Sequence, residues 1–164
     1  PYVAWRRDEH RLRLHTLYKD RNYPSQESSN KDGYSQELGL RYNYRPNRQW
    51  LIQLGSRWID ADYNDDRYSY KAIEIEGQIR YRFNFTLAVW SQLRHRDSDY
   101  QAAETPLYND PRDEDYRTLR IGSRYRLSKD TAIELVLSDY ENQANHQLHD
   151  YDRQQAELKL SWNF

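Results

Sequence analysis

Arginine recurs at alternate positions in this sequence, as Arg11 and Arg13, as Arg80 and Arg82, and as Arg124 and Arg126 with Arg120 just before them. In an extended chain, side chains two residues apart project from the same face. Each pair therefore sets two guanidiniums side by side, about 7 Å apart along a strand. A guanidinium is a planar fork of donors that fits a carboxylate, sulfate or phosphate. Arg41, Arg57, Arg94 and Lys159 sit at equivalent polar positions, and Glu37, Glu74, Glu76, Glu134 and Glu157 share that face. Cations lead acids there by about two to one. Two outcomes stay open: a cationic lining that attracts anions, or arginines that pair with glutamates across strands and fill the space.

Other chemistries are weaker. His10, His15, His95, His146 and His149 are scattered. Ser91 and His95 share a face, but at about 13 Å apart along a strand they do not hydrogen-bond. Glu74 and Glu76, about 7 Å apart, suit the spacing of an inverting glycosidase pair, but arginines flank both and nothing singles one out as a general acid. Asp60, Asp62 and Asn64 resemble the start of a calcium loop; Asp65 then replaces the required glycine and Lys71 the closing glutamate. Phosphate loops, dinucleotide fingerprints and zinc spacings are absent. Asn84-Phe85-Thr86 matches a glycosylation sequon, discounted because it falls in a turn. The expectation is no enzyme, no cofactor and no metal site. A net charge of −1 gives no field pointing to nucleic acid.

The elements that must position these residues are strands. Segment 73–83 alternates Ile73, Ile75, Gly77, Ile79, Tyr81 and Phe83 against Glu74, Glu76, Gln78, Arg80 and Arg82. The same period of two runs through 10–18, 37–44, 50–58, 85–95, 119–127, 133–140 and 157–164. Eight strands are predicted, and 1–5 reads as the tail of a ninth. Short links are expected at 6–9, 45–48, 84 and 128–130, and long polar links at 22–33, 60–70, 97–115 and 141–152. The long links are acidic: Asp60, Asp62, Asp65 and Asp66 in one, Asp110, Asp113, Glu114 and Asp115 in another. Loose divalent bridging there is more plausible than a defined calcium site.

The last strand is the most specific segment. Leu158, Leu160, Trp162 and Phe164 lie on one face, Glu157, Lys159, Ser161 and Asn163 on the other. A final strand of this kind, ending on an aromatic residue, resembles the C-terminal insertion signal of bacterial outer-membrane β-barrels. Segments 116–127 and 150–153 resemble barrels of exopolysaccharide export and barrels that follow a periplasmic tetratricopeptide-repeat domain. The mean hydropathy of −1.25 does not argue against this, because only alternate residues of a barrel strand meet lipid. Sixteen tyrosines and five tryptophans suit aromatic girdles. With residue 164 in the periplasm, every short link falls on the periplasmic side and every long one outside, as in transmembrane barrels. The absence of cysteine fits a periplasmic folding route. No secretory leader is present, which suggests a mature chain or a fragment.

The resemblance implies an all-β, antiparallel up-and-down transmembrane barrel formed by one domain, 1–164, in the bacterial outer membrane. Strand parity favours the C-terminal part of a larger barrel over an eight-stranded barrel with a short N-terminal extension. Its implied partners are the lipid bilayer, lipopolysaccharide and the barrel assembly machinery, with an anionic saccharide and a periplasmic or surface protein as further candidates. The arginine face would line a water-filled lumen favouring anionic solutes. The competing expectation is a non-conducting barrel serving as scaffold, adhesin or anchor. Trp50, Tyr81, Phe83, Phe85, Tyr125, Trp162 and Phe164 should form a periplasmic-side belt.

Overall fold

The isoleucines of segment 73–79 are β-branched and alternate with polar residues, a pattern that suits a pleated surface with two unlike faces. That logic repeats along the chain. A computed structural model, which describes residues 1–22 and 31–162, shows nine antiparallel strands in one up-and-down sheet, each paired with its sequence neighbours. They are β1 (Tyr2–Arg7), β2 (His10–Arg21), β3 (Gly33–Tyr44), β4 (Trp50–Tyr63), β5 (Tyr70–Arg82), β6 (Leu87–Ala103), β7 (Pro111–Arg126), β8 (Thr131–Ala144) and β9 (Tyr151–Trp162). A 3₁₀ turn, Gln147–His149, precedes β9. The sheet is not closed: β1 and β9 each have one unpaired edge. No helix among the described residues is long and apolar enough to cross a membrane, which says nothing about strands.

Several expected boundaries move. The 1–5 tail is part of a strand fully paired with β2, from Tyr2 opposite His15 to Arg7 opposite His10. The long links shorten to 64–69, 104–110 and 145–150, because the ladder continues through residues that are polar on both faces and carry no amphipathic signal. Asp60 and Asp62 therefore lie in β4, and Asp113, Glu114 and Asp115 in β7. The predicted link at 22–33 lies largely outside the described residues. The link at 84 widens to 83–86, where the Asn84 side-chain Oδ1 accepts from the Thr86 and Leu87 amides at 2.9 and 2.8 Å. Phe85 thus sits on a turn, 90% exposed, rather than in β6.

Burial is inverted relative to a water-soluble sheet. Among the described residues, the buried hydrophobic side chains are Ile59, Val136 and four alanines, while ten polar or charged residues are buried. Fifteen leucines and isoleucines of the apolar face are each at least 36% exposed. Fully burying one such side chain stabilises by roughly 1.5–3 kcal/mol, so in water this face forgoes tens of kcal/mol. The polar face is the concave one: Glu37 and Glu74 are only 7% and 5% exposed on strands whose Leu38 and Ile73 are 46% and 60% exposed.

The apolar band crosses the hydrogen-bonded rows at a slant. Leu38, Trp58 and Ile73 share a row that next meets Asp97 and Asp115. By β9 the upper edge, at Leu158, has dropped eight residues in register over six strand-to-strand steps. The lower edge drops six residues, from Tyr44 to Trp162, over the same steps. At ~3.3 Å per residue and ~4.8 Å between strands, the upper edge slants by about 42°.

Candidate functional site

The concave face has three zones, set by which strands lie side by side. Its centre is an ionic network across β2 to β6. Arg57 projects from β4 between two carboxylates, reaching Glu37 at 3.2 Å and Glu74 at 2.8 Å. Lys19 meets Glu37 at 2.6 Å, Arg41 meets Glu76 at 3.0 Å, and Arg94 lies 3.7 Å from both Glu74 and Glu76. Glycines make room for these chains. A Cβ on Gly55 would meet Glu76 Cγ at 2.8 Å. The carboxylates lie against the wall: the side chains of Glu37 and Glu74 are each 7% exposed, those of Arg57, Arg94 and Arg41 34–48%. The network therefore shows guanidinium and ammonium groups to solvent and hides Glu37 and Glu74, with Glu76 intermediate at 23% exposure.

The zone nearest the short turns is cationic. Arg11, Arg13, Arg80 and Arg82 surround a cavity of about 780 Å³ with Arg45 and Arg48 of the β3–β4 turn. Arg13 faces Arg41 directly across β2 and β3, and Arg6 faces Arg11 across β1 and β2. Like charges placed directly opposite destabilise a sheet unless compensated. Arg13 also lies 4.7 Å over the Tyr2 ring. Further round, Arg120 lies 5.6 Å from the Trp90 ring, whose packing needs Gly122: a Cβ there would come within 2.4 Å of the indole. Arg124 and Arg126 are exposed at the end of β7, and Lys159 pairs with Glu157 along β9 at 3.0 Å. The structure thus gathers Arg41, Arg57 and Arg94 into the network and Arg11, Arg13, Arg80 and Arg82 around the cavity. It leaves Arg120, Arg124, Arg126 and Lys159 outside both.

At the opposite rim, a clamp joins the β6–β7 and β8–β9 loops. Arg112, 9% exposed, stacks 3.7 Å over Tyr100, pairs with Glu104, and meets Glu114 at 3.1 Å. His149 reaches Glu104 at 3.0 Å, and His146 stacks on Tyr108 at 3.9 Å between ring centroids. Burial alone would raise the Glu104 pKa; the His149 hydrogen bond and the charges of Arg112, His149 and His146 outweigh it and hold it below the usual glutamate range. Sequence reading missed this cluster, along with Lys19, Arg96 and Arg112 as inward cations. Its strand residues, Tyr100 on β6 and Arg112 and Glu114 on β7, alternate with charged outward positions that mask the period, and Glu104, Tyr108, His146 and His149 come from loops.

The outer face carries most of the aromatic residues expected in the belt, with Phe85 displaced onto the 83–86 turn. Trp50, Phe83, Tyr125 and Trp162 lie exposed toward the short-turn rim, and the Tyr81 ring packs at a tilt on Trp50 and edge-on to Phe83, at 4.6 and 4.7 Å between centroids. Leu158 and Leu160 are 73% and 70% exposed beside Trp162; Phe164, the end of the expected insertion signal, lies outside the described residues. Beyond the band, Asp97, Asp99 and Asp113 bring one carboxylate oxygen each within 4.8 Å of the others. Burial, and then Asp99, Asp97 and Asp115, push the Asp113 carboxyl up. The expected calcium-like run does not converge: Asp62 accepts from Tyr34 and Asp65 is taken by Arg67. His95 meets Asp115 at 3.2 Å rather than Ser91.

No protein-family model, curated protein or solved structure matches this chain. The class of protein is therefore argued from its own geometry.

Proposed function

We propose that these nine strands are wall of a transmembrane β-barrel in a bacterial outer membrane, and that the barrel is a conduit for anionic or carbohydrate solutes. The observation that carries the membrane part is the slanted apolar band on a face opposite buried carboxylates. Its lower and upper edges slope by about 35° and 42°, against the ~35–45° strand tilt of outer-membrane barrels. A band parallel to a membrane must cross tilted strands in this way; a face packed as an ordinary core has no such requirement. On β5 the band runs from Ile73 to Tyr81, nine residues, against the ~9–11 that a tilted membrane strand needs. Lipid on the outer face supplies the burial that water withholds.

The solute class follows from the inner face. Carboxylates at the wall beneath more exposed guanidiniums give the passage a cationic surface, which favours anions. The central ion pairs also support the alternative, a filled and non-conducting barrel acting as scaffold or anchor, because each pair occupies lumen. Closure adds a geometric demand. β1 and β9 run in the same direction, so an all-antiparallel barrel takes an odd number of strands beyond these nine.

Single-channel recording of the protein in a planar bilayer under a salt gradient tests this reading. Steady current with a reversal potential on the anion side, reduced by an added acidic oligosaccharide, is the expected result. A folded, inserted protein that stays silent sinks the conduit and leaves the scaffold.

A further inference from the structure

The cavity at the short-turn rim differs from the central network and the loop clamp in gathering many cations with few acids. Eight arginines line it against two acids, Asp8 and Glu9. Asp8 already lies 3.8 Å from Arg7, and Arg41 is engaged by Glu76. Arg80 is half-buried, and its Nε is enclosed with no hydrogen-bond partner. An enclosed donor without an acceptor is costly. Like-charged pairs across β1, β2 and β3 add to that cost. Both penalties vanish when an anion occupies the cavity.

We propose that this cavity is a binding vestibule for a multivalent oxyanion, carrying phosphate or carboxylate groups, at the periplasmic mouth of the barrel. The inference deepens the conduit reading and rests on its assignment of the concave face to a lumen. Valence follows from spacing. Arg11 and Arg13 stand on β2, and Arg80 and Arg82 stand three strands away on β5. That separation is about 14 Å at ~4.8 Å per strand. Long side chains converging from two such banks on a concave surface meet different ends of one ligand, so a single monoanion satisfies only one bank. On the floor between them, beside Arg41 and its Glu76 partner, Gln53 donates to Asn43, and each keeps further amide capacity for a hydroxyl or an ester oxygen. The planar fork of arginine suits both phosphate and carboxylate, the groups shared by phosphorylated and uronic-acid glycans.

Calorimetric titration of the folded full chain in zwitterionic detergent, at low salt, with inorganic tripolyphosphate is the test. Binding should saturate near one per chain and be at least ~10-fold tighter than orthophosphate. The double variant Arg13→Gln, Arg80→Gln should weaken it at least ~10-fold, and Arg124→Gln, Arg126→Gln, with the same loss of charge elsewhere on this face, less than ~3-fold. Equal loss in both double variants, or no preference over orthophosphate, overturns the vestibule. Where a variant does not fold, the wild-type chain still decides. Tripolyphosphate should protect Arg13 and Arg80, but not Arg124, from phenylglyoxal, read by mass spectrometry; uniform protection overturns the proposal. Displacement by a tri-uronate assigns the ligand's carboxylates, and failure to displace assigns phosphate; either supports the vestibule. Saturable binding by a protein that does not conduct would refute the conduit alone, and conduction without binding would refute the vestibule alone.

Discussion

Replacing Leu54 with arginine separates the two solvents this face could meet. Leu54 lies on the outer face of β4, midway between Trp50 and Trp58 at the edges of the band, and is 55% exposed. In water, a charged residue at so open a site changes stability by about 0.5 kcal/mol or less. In a bilayer the same position is near the midplane, where arginine on the lipid face costs about 2–4 kcal/mol. The assay is reversible guanidinium unfolding from phospholipid vesicles, followed by tryptophan fluorescence. With a slope of about 4 kcal/mol per molar, the midpoint should fall by about 0.5–1 M. Gln36→Arg, on the outer face of β3 just beyond the upper edge, should shift it by no more than about a quarter of that, since the cost falls to about 0–1 kcal/mol near the interface. Equal midpoints for wild type and Leu54→Arg would refute the reasoning, because no lipid would then lie against the band.

Glu74→Gln leaves Arg57 and Arg94 short of a wall-side charge and should destabilise by about 1–3 kcal/mol, discounted because Arg57 remains a third exposed; the same unfolding titration reads it. Gly122→Val drives a branched side chain into Trp90, so β7 should lose its pairing with β6, seen as loss of the heat-resistant folded band on a gel; Gly77→Ala, whose Cβ meets only Leu54 at 3.7 Å, should be tolerated. The loop clamp should fail in acid. Glu104 has a lowered pKa in the folded chain, so its contribution is full above the unfolded glutamate value and is lost as pH falls through the lower folded value. Amide exchange in 104–110 and 145–150 should accelerate in that window and lose this dependence in Glu104→Gln. Asp113 works in the opposite direction: its raised pKa means that protonation relieves a penalty, so the Asp97, Asp99 and Asp113 cluster gains stability as pH falls.

The strand cores were legible because each pairs an aliphatic face with a polar one; Ile73 to Phe83 needs no partner to be read as a strand. Which residues share the polar face was legible too, since the period of two assigns them strand by strand. Strand ends were not. Ser98 and Tyr100 on β6, and Arg112 and Glu114 on β7, alternate with aspartates, so neither face carries a hydrophobic period, and only the ladder itself shows that pairing continues. The ionic network was half legible. Glutamates among arginines were visible along β5, but that Arg57 sits between Glu37 and Glu74 depends on the registers of β3 with β4 and β4 with β5. The slant of the apolar band depends on six such registers, which no single segment encodes. The clamp joins residues as far apart as Glu104 and His149, 45 positions along the chain, and leaves no local mark.

The chain has no cysteine, so single cysteines placed one at a time along β5 from position 73 to 80 give the most direct test of a lipid-facing outer wall. Each would carry a fluorophore in vesicles containing brominated lipid, with a water-soluble thiol reagent applied to the unlabelled variants. The account predicts quenching by lipid at 73, 75, 77 and 79 and reagent access at 74, 76, 78 and 80. Quenching without a period of two, or confined to the even positions, would contradict it.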